Sequence, residues 1–154
     1  MKKLLLLGTF LVLMALAPAT EAQGPKGKAT GGVNGIATST TNTDVSFQFN
    51  AHEKGPKGMV SFATGWGGFF HGEVDCFKQM NDNTVCFSGE ITMTNVDGWD
   101  YFIAFVQDNG EPGDFDWFRV SPGEYRPCTE HRWASEGVPL IEQWPVTEGN
   151  IQVH

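Results

Sequence analysis

Hydrophobic and polar residues alternate with a period of two along most of this chain, and the alternation predicts strands. Val45, Phe47 and Phe49 alternate with Ser46, Gln48 and Asn50. Val60 and Phe62 follow a turn-like Lys54-Gly55-Pro56-Lys57-Gly58. Phe70, Gly72, Val74 and Cys76 then oppose His71, Glu73 and Asp75. After Asn81-Asp82-Asn83 comes the cleanest alternation, with Val85, Phe87, Gly89, Ile91 and Met93 on one face and Thr84, Cys86, Ser88, Glu90, Thr92 and Thr94 on the other. Clusters of Gly, Asn and Asp interrupt the pattern about every 8 to 14 residues, as turns between short antiparallel strands do.

The stretch from Trp99 to Gln107 is apolar almost throughout, which predicts a strand covered on both faces. It runs through Asp108-Asn109-Gly110-Glu111-Pro112-Gly113-Asp114 into Phe115 to Val120, predicting a hairpin. Residues 121–148 hold four prolines and two tryptophans without a sustained period. A structureless loop of that length is uncommon in a compact domain. It is therefore expected to be a packed lid, pinned by Trp133, Leu140, Ile141 and Trp144. Asn150-Ile151-Gln152-Val153-His154 closes the chain as a last strand. The fold class is all-β: an antiparallel β-sandwich or partly closed barrel of about eight strands, both of which bury one face of every strand and limit exposed edges. The strand order does not follow from the pattern.

The first residues belong to a different regime. Lys2-Lys3, an apolar run from Leu4 to Leu16, and small residues ending at Ala22 have the layout of a secretory signal peptide. The apolar run is too short to span a bilayer. Cleavage near Ala22 leaves residues 23–154 as a single secreted β domain, exported to the medium or periplasm. A second small-residue site, Ala17-Pro18-Ala19, lies just upstream. Removing residues 1–22 takes two lysines and one glutamate from totals of 10 basic and 18 acidic residues, leaving 8 against 17, or about −9. That balance argues against nucleic acid or anionic lipid as partner, since both call for clustered Lys and Arg. No second apolar stretch suggests a membrane anchor.

Three segments carry a resemblance: Gly55-Pro56-Lys57-Gly58, Asp108-Asn109-Gly110-Glu111-Pro112-Gly113, and Gly149-Asn150-Ile151-Gln152-Val153-His154. Together they resemble a family of small secreted bacterial β-proteins with post-COAP-type domains, in which a hydrophobic strand enters such an acidic loop and the domain ends on a Gly-Asn-Ile-x-Val-His strand. The segment His71 to Cys76, followed by Asn83-Thr84-Val85, is similar to that family's middle hairpin. The resemblance implies fold and compartment rather than an activity. The long segment between Val120 and Gly149 departs from the shorter members.

The cysteines can be approached from the alternation and then from the resemblance. Alternation puts Cys76 on the core face with Val74, and Cys86 on the polar face, so these two should not meet; Cys128, in the irregular segment, is able to join either. The resemblance points to Cys76, because the related hairpin carries a cysteine there that pairs with one late in the chain. It thus implies a Cys76–Cys128 disulfide, with Cys86 as a thiol.

Common catalytic signatures are missing, including Gly-x-Ser-x-Gly, His-Glu-x-x-His, phosphate-binding glycine loops and Cys-x-x-Cys. His71, Glu73 and Asp75 share a strand face and offer an acid, a base and a metal ligand; on a solvated strand the same residues need no chemistry. Asp108, Asn109, Glu111, Asp114 and Asp116 gather hard oxygen donors of the kind calcium takes, without EF-hand spacing. Trp66 and Trp133 lie in loop-like settings suited to stacking on carbohydrate, whereas Trp99 and Trp117 fit strand patterns. His52, His71, His131 and His154 share no zinc spacing. The expectation is a secreted, non-enzymatic β domain with an extracellular binding or structural role; the alternative is a secreted hydrolase or metal-dependent enzyme using His71, Glu73 and Asp75.

Overall fold

Eight strands whose side chains alternate can hide every apolar face by rolling into a cylinder, and the computed structural model shows this closure. It describes residues 27–37, 42–110, 116–123, 127–130 and 142–154. The signal-peptide reading, Trp133, Glu111, Asp114 and most of the proposed lid lie outside these residues. The strands are β1 (Lys28–Ala37), β2 (Thr43–His52), β3 (Lys57–Thr64), β4 (Phe69–Asn81), β5 (Thr84–Thr94), β6 (Tyr101–Gln107), β7 (Trp117–Gly123) and β8 (Trp144–Val153). Each is antiparallel to the next, and β8 returns to pair with β1 through Gly31 opposite Ile151. Of the two expected architectures, the barrel is the one formed, closed by β8 against β1 and by a short β7–β8 ladder.

An eight-stranded barrel is just wide enough for side chains to fill it or for one small ligand to enter. Here aromatic rings occupy the lumen. Phe47 is fully buried and stacks on Phe49 at 5.0 Å, Phe118 at 5.9 Å and Phe87 at 6.2 Å. Phe62 bridges Phe70 and Trp144, and Phe70 stacks on Phe102 at 5.6 Å. The bulk of these rings is accommodated by inward-facing glycines. A Cβ at Gly35 would stand 2.6 Å from the Phe118 ring, and one at Gly72 would stand 2.8 Å from Phe102. Outside, the wall of β1 to β4 carries the exposed Asn34, Asp44, Gln48, Asn50, His71 and Glu73. Along β1 to β4 the barrel is thus apolar within and polar without, the reverse of the lipid-facing wall of a membrane barrel.

A second apolar cluster lies on the outer face of β5 to β7. Cys86, Ile103, Phe105, Trp117 and Cys128 are all buried there, with Cys76 and Met80 packed against them. This explains why β6 reads apolar on both faces. Cys128, in the described stretch 127–130 of the irregular segment, packs against the wall of the barrel at this point. The Cys128 amide donates to Ser88 Oγ at 3.1 Å, and the Cys76 and Cys128 sulfurs stand at disulfide distance, 2.19 Å.

Three expectations need correction. The register shifts between Val74 and Cys76, making Asp75 an extra residue, so Cys76 turns outward to sit opposite Ser88. Cys76 and Cys86 therefore share the outer face, and the argument that kept them apart by opposite faces does not hold. A second shift beside His71 sets Gly72 opposite Ile91 and His71 opposite Met93; Met93 leaves the core side and is 57% exposed. Finally, the irregular segment is shorter than 121–148. Residues 121–123 extend β7, and Trp144 opens β8 as a core residue, edge-on to Phe118 at 5.7 Å.

The Cys86 thiol has no water contact, and burial pushes its pKa well up. Native protein should react with an aromatic disulfide reagent at pH 8 hardly at all, and denatured protein should release one equivalent promptly. Rapid labelling of the native protein would contradict this placement.

Candidate functional site

The acidic loop between β6 and β7 does a job the sequence did not suggest. Strand β8 pairs with β7 only at Trp144 and Pro145, so the amides further along face no strand on that side. Asp116 and Asp108 take their place. Asp116 is buried; its Oδ2 accepts from the Ile151 amide at 3.1 Å and its Oδ1 from the Asn109 amide at 2.9 Å. Asp108 Oδ2 accepts from the Val153 amide at 3.0 Å, and its Oδ1 from Gly110 at 2.9 Å. Asn109 Oδ1 accepts from the Gln107 and Asn83 side chains. Two carboxylates thus stand in for the carbonyls of a missing neighbour and close the seam of the barrel. Among the described residues, no group of three or more His, Cys, Asp or Glu side chains is arranged to hold a metal ion.

Removing such an acceptor leaves buried amides unpaired. Asp116→Ala should lower stability by roughly 2–4 kcal/mol, since hydrogen bonds to charged groups are each worth about 1.5–3 kcal/mol. The Ile151 amide should exchange with solvent faster in the variant. Unchanged melting and exchange would show that the seam is held otherwise.

His71 and Glu73 lie on the open outer wall, with Asp75 at the bulge beside them. Partial burial of the Asp75 carboxyl raises its pKa, and the charge of Glu90 adds to the effect. His71 Nδ1 is 2.5 Å from Ser61 Oγ, directly across on β3. A shallow groove of about 420 Å³ runs over this wall past Gly32, Gln48, Asn50, Met59, Ser61 and His71. A second, of about 480 Å³, brings Asp44 and Glu148 to either side of β1, with Asn34, Ser46, Thr64 and Thr147. Asn34 donates to Glu148 at 3.3 Å. Sequence reasoning missed these two carboxylates because only the β8-to-β1 closure brings them together.

The β3–β4 turn presents Trp66, which is 60% exposed. Its backbone is tightly held: the Thr64 amide donates to the Gly68 carbonyl at 2.8 Å and the Gly67 amide to the Thr64 carbonyl at 2.9 Å. Gly67 takes φ +93, a conformation that glycine adopts without strain. The indole lies over Gly68, where a Cβ would strike the outer edge of the ring, and meets Trp99 edge-on at 5.9 Å. Trp99 in turn rests edge-on against buried Phe70. Asn95 joins the two turns, accepting from the Phe69 amide at 2.8 Å and donating to the Gly67 carbonyl at 2.9 Å. Exposed Asp97 and Asp100 flank Trp99 on the β5–β6 turn. This barrel end therefore carries a fixed, solvent-facing aromatic surface edged by carboxylates and an amide.

No family model matches the chain, and neither a curated protein nor a solved structure matches it at a significant level.

Proposed function

We propose that this protein is an exported binding domain of the post-COAP-like kind, non-enzymatic, that engages extracellular carbohydrate through the Trp66 end of its barrel. The observation that carries the reading is the clamped but exposed indole. A large apolar ring left in water costs stability, and an unconstrained one would lose entropy on binding; Trp99 and Gly68 have already fixed this one. The solid aromatic lumen supports binding on the outside of the barrel. Flat sugar faces stack on indole rings, and hydroxyl groups suit the neighbouring Asn95, Asp97 and Asp100. Export rests on the amino-terminal pattern and agrees with the Cys76–Cys128 pair, because disulfides persist in oxidising compartments.

Retention on insoluble polysaccharides tests the proposal. Wild type should be retained on at least one of them and Trp66→Ala should be washed off. Gly68→Ala gives a sharper prediction: the added methyl displaces only the far edge of the Trp66 ring, so melting should hardly change while retention falls. Retention equal in all three proteins, or none on any polysaccharide, would overturn the reading.

A further inference from the structure

The outer wall of β3 to β5 bears an arrangement that the carbohydrate reading does not use. Of the chain's five methionines, Met59 and Met93 are 68% and 57% exposed. Met93 is directly opposite His71, turned out of the core by the register shift described above. Met59 lies two residues from Ser61 on β3, diagonal to His71, and lines the same groove as the imidazole. Directly opposed Cβ atoms in an antiparallel pair are about 5 Å apart and diagonal ones about 7–8 Å, within reach of a thioether on a flexible stem. Two methionines, one on each neighbouring strand, thus stand within thioether reach of one imidazole.

The imidazole is also oriented as a ligand would be. Its Nδ1 is engaged by Ser61 Oγ, and its ring meets Phe69 edge-on at 6.0 Å. In the tautomer whose Nδ1–H donates to Ser61, Nε2 carries the lone pair and is left for a metal. Thioether with imidazole selects soft, low-coordinate monovalent ions, copper(I) above the hard divalent cations.

We infer that Met59, His71 and Met93 form a surface site for a monovalent soft metal ion, copper(I) or its redox-inert analogue silver(I). No electron transfer is involved, because the metal arrives and leaves in the same oxidation state. Ser61 is a positioning residue here, holding the ring rather than touching the ion.

Titration of the full exported chain with silver(I), followed by the methionine methyl signals in NMR, separates this site from the buried thiol of Cys86. The Met59 and Met93 methyls should shift and saturate at one equivalent, with Met80, which packs against the outer cluster that holds Cys86, unmoved. Competition against a copper(I) chelating dye should show one equivalent bound, with affinity at least tenfold weaker in His71→Ala and in Met59→Leu/Met93→Leu. Ser61→Ala should cost about tenfold, the usual effect of losing an outer-shell partner. All these positions are on the outer wall, and unchanged melting curves would verify that the variants fold. Movement of Met80 alone, copper(I) affinity indifferent to both thioethers, or zinc(II) bound in preference to silver(I) would each overturn the assignment.

Discussion

Replacing Phe47 by alanine is expected to cost roughly 3–5 kcal/mol, the usual range for a large aromatic removed from a packed core. Phe47 lies on the inner face of β2, fully buried, with four other phenylalanines arranged around its ring: Phe49, Phe62, Phe87 and Phe118. Closure depends on such packing, because an eight-stranded cylinder has no second sheet to fill its centre. The cavity left behind is walled by aromatic rings that cannot easily collapse. Chemical denaturation of Phe47→Ala beside Phe47→Leu checks this, and leucine should recover a large part of the loss. A cost under about 1 kcal/mol for alanine would mean that the lumen is not packed as described.

The second large effect concerns the staple on the outer wall. Cys76 and Cys128 are 52 residues apart in sequence, and a cross-link closing a loop of that size stabilises a chain by roughly 2–4 kcal/mol through its unfolded state. The pair also holds Cys128 in the outer cluster with Ile103, Phe105 and Trp117, so its loss should expose apolar surface as well as free the unfolded chain. Reduction, or Cys76→Ser/Cys128→Ser, should lower the melting temperature by on the order of 10 °C. It should also increase the binding of a hydrophobic dye at moderate temperature. Peptide mapping without reductant should recover Cys76 joined to Cys128; a link through Cys86 would contradict the arrangement.

What the sequence revealed follows from what a period of two can encode. The inner faces of β2 and β5, from Val45 to Phe49 and from Val85 to Ile91, were legible because each inward residue is apolar and each turn is marked by Gly, Asn or Asp. The double cover of β6 was legible for the same reason. What the period does not encode is a change of phase. Asp75 and Thr92 are each one residue too many, and each reverses the face of the residue after it, which is why Cys76 and Met93 were assigned to the core. The glycine-rich β1 has few apolar side chains because the rings of Phe49 and Phe118 fill the space over Gly31 and Gly35, so its pattern is faint. The start of β8 at Trp144 was hidden by Pro145, which β7 tolerates opposite Trp117 where their short ladder ends.

The candidate sites divide along the same line. Trp66 was found from its glycine neighbours, a local signal. Asp108 and Asp116 were picked out for their oxygens, but their partners on β8 lie 45 and 35 residues away in sequence, respectively, beyond any local motif. Asp108 and the final Ile-Gln-Val strand, from two of the segments behind the family resemblance, meet in one seam. Ser61 and Met59 drew no notice because each is unremarkable on its own strand, and Met93 was counted with the core face. Only the register across β3, β4 and β5 places them around His71.

The most direct test of the binding account is an NMR titration of the exported domain with soluble oligosaccharides of glucose, xylose and N-acetylglucosamine, read at backbone amides and indole N–H groups. Saturable shifts are expected with at least one of them, centred on Trp66, Trp99 and the turns carrying Gly67, Asn95 and Asp97, and lost in Trp66→Ala. Shifts centred instead on the groove between Asp44 and Glu148, or no shift with any of the three at millimolar concentration, would contradict it.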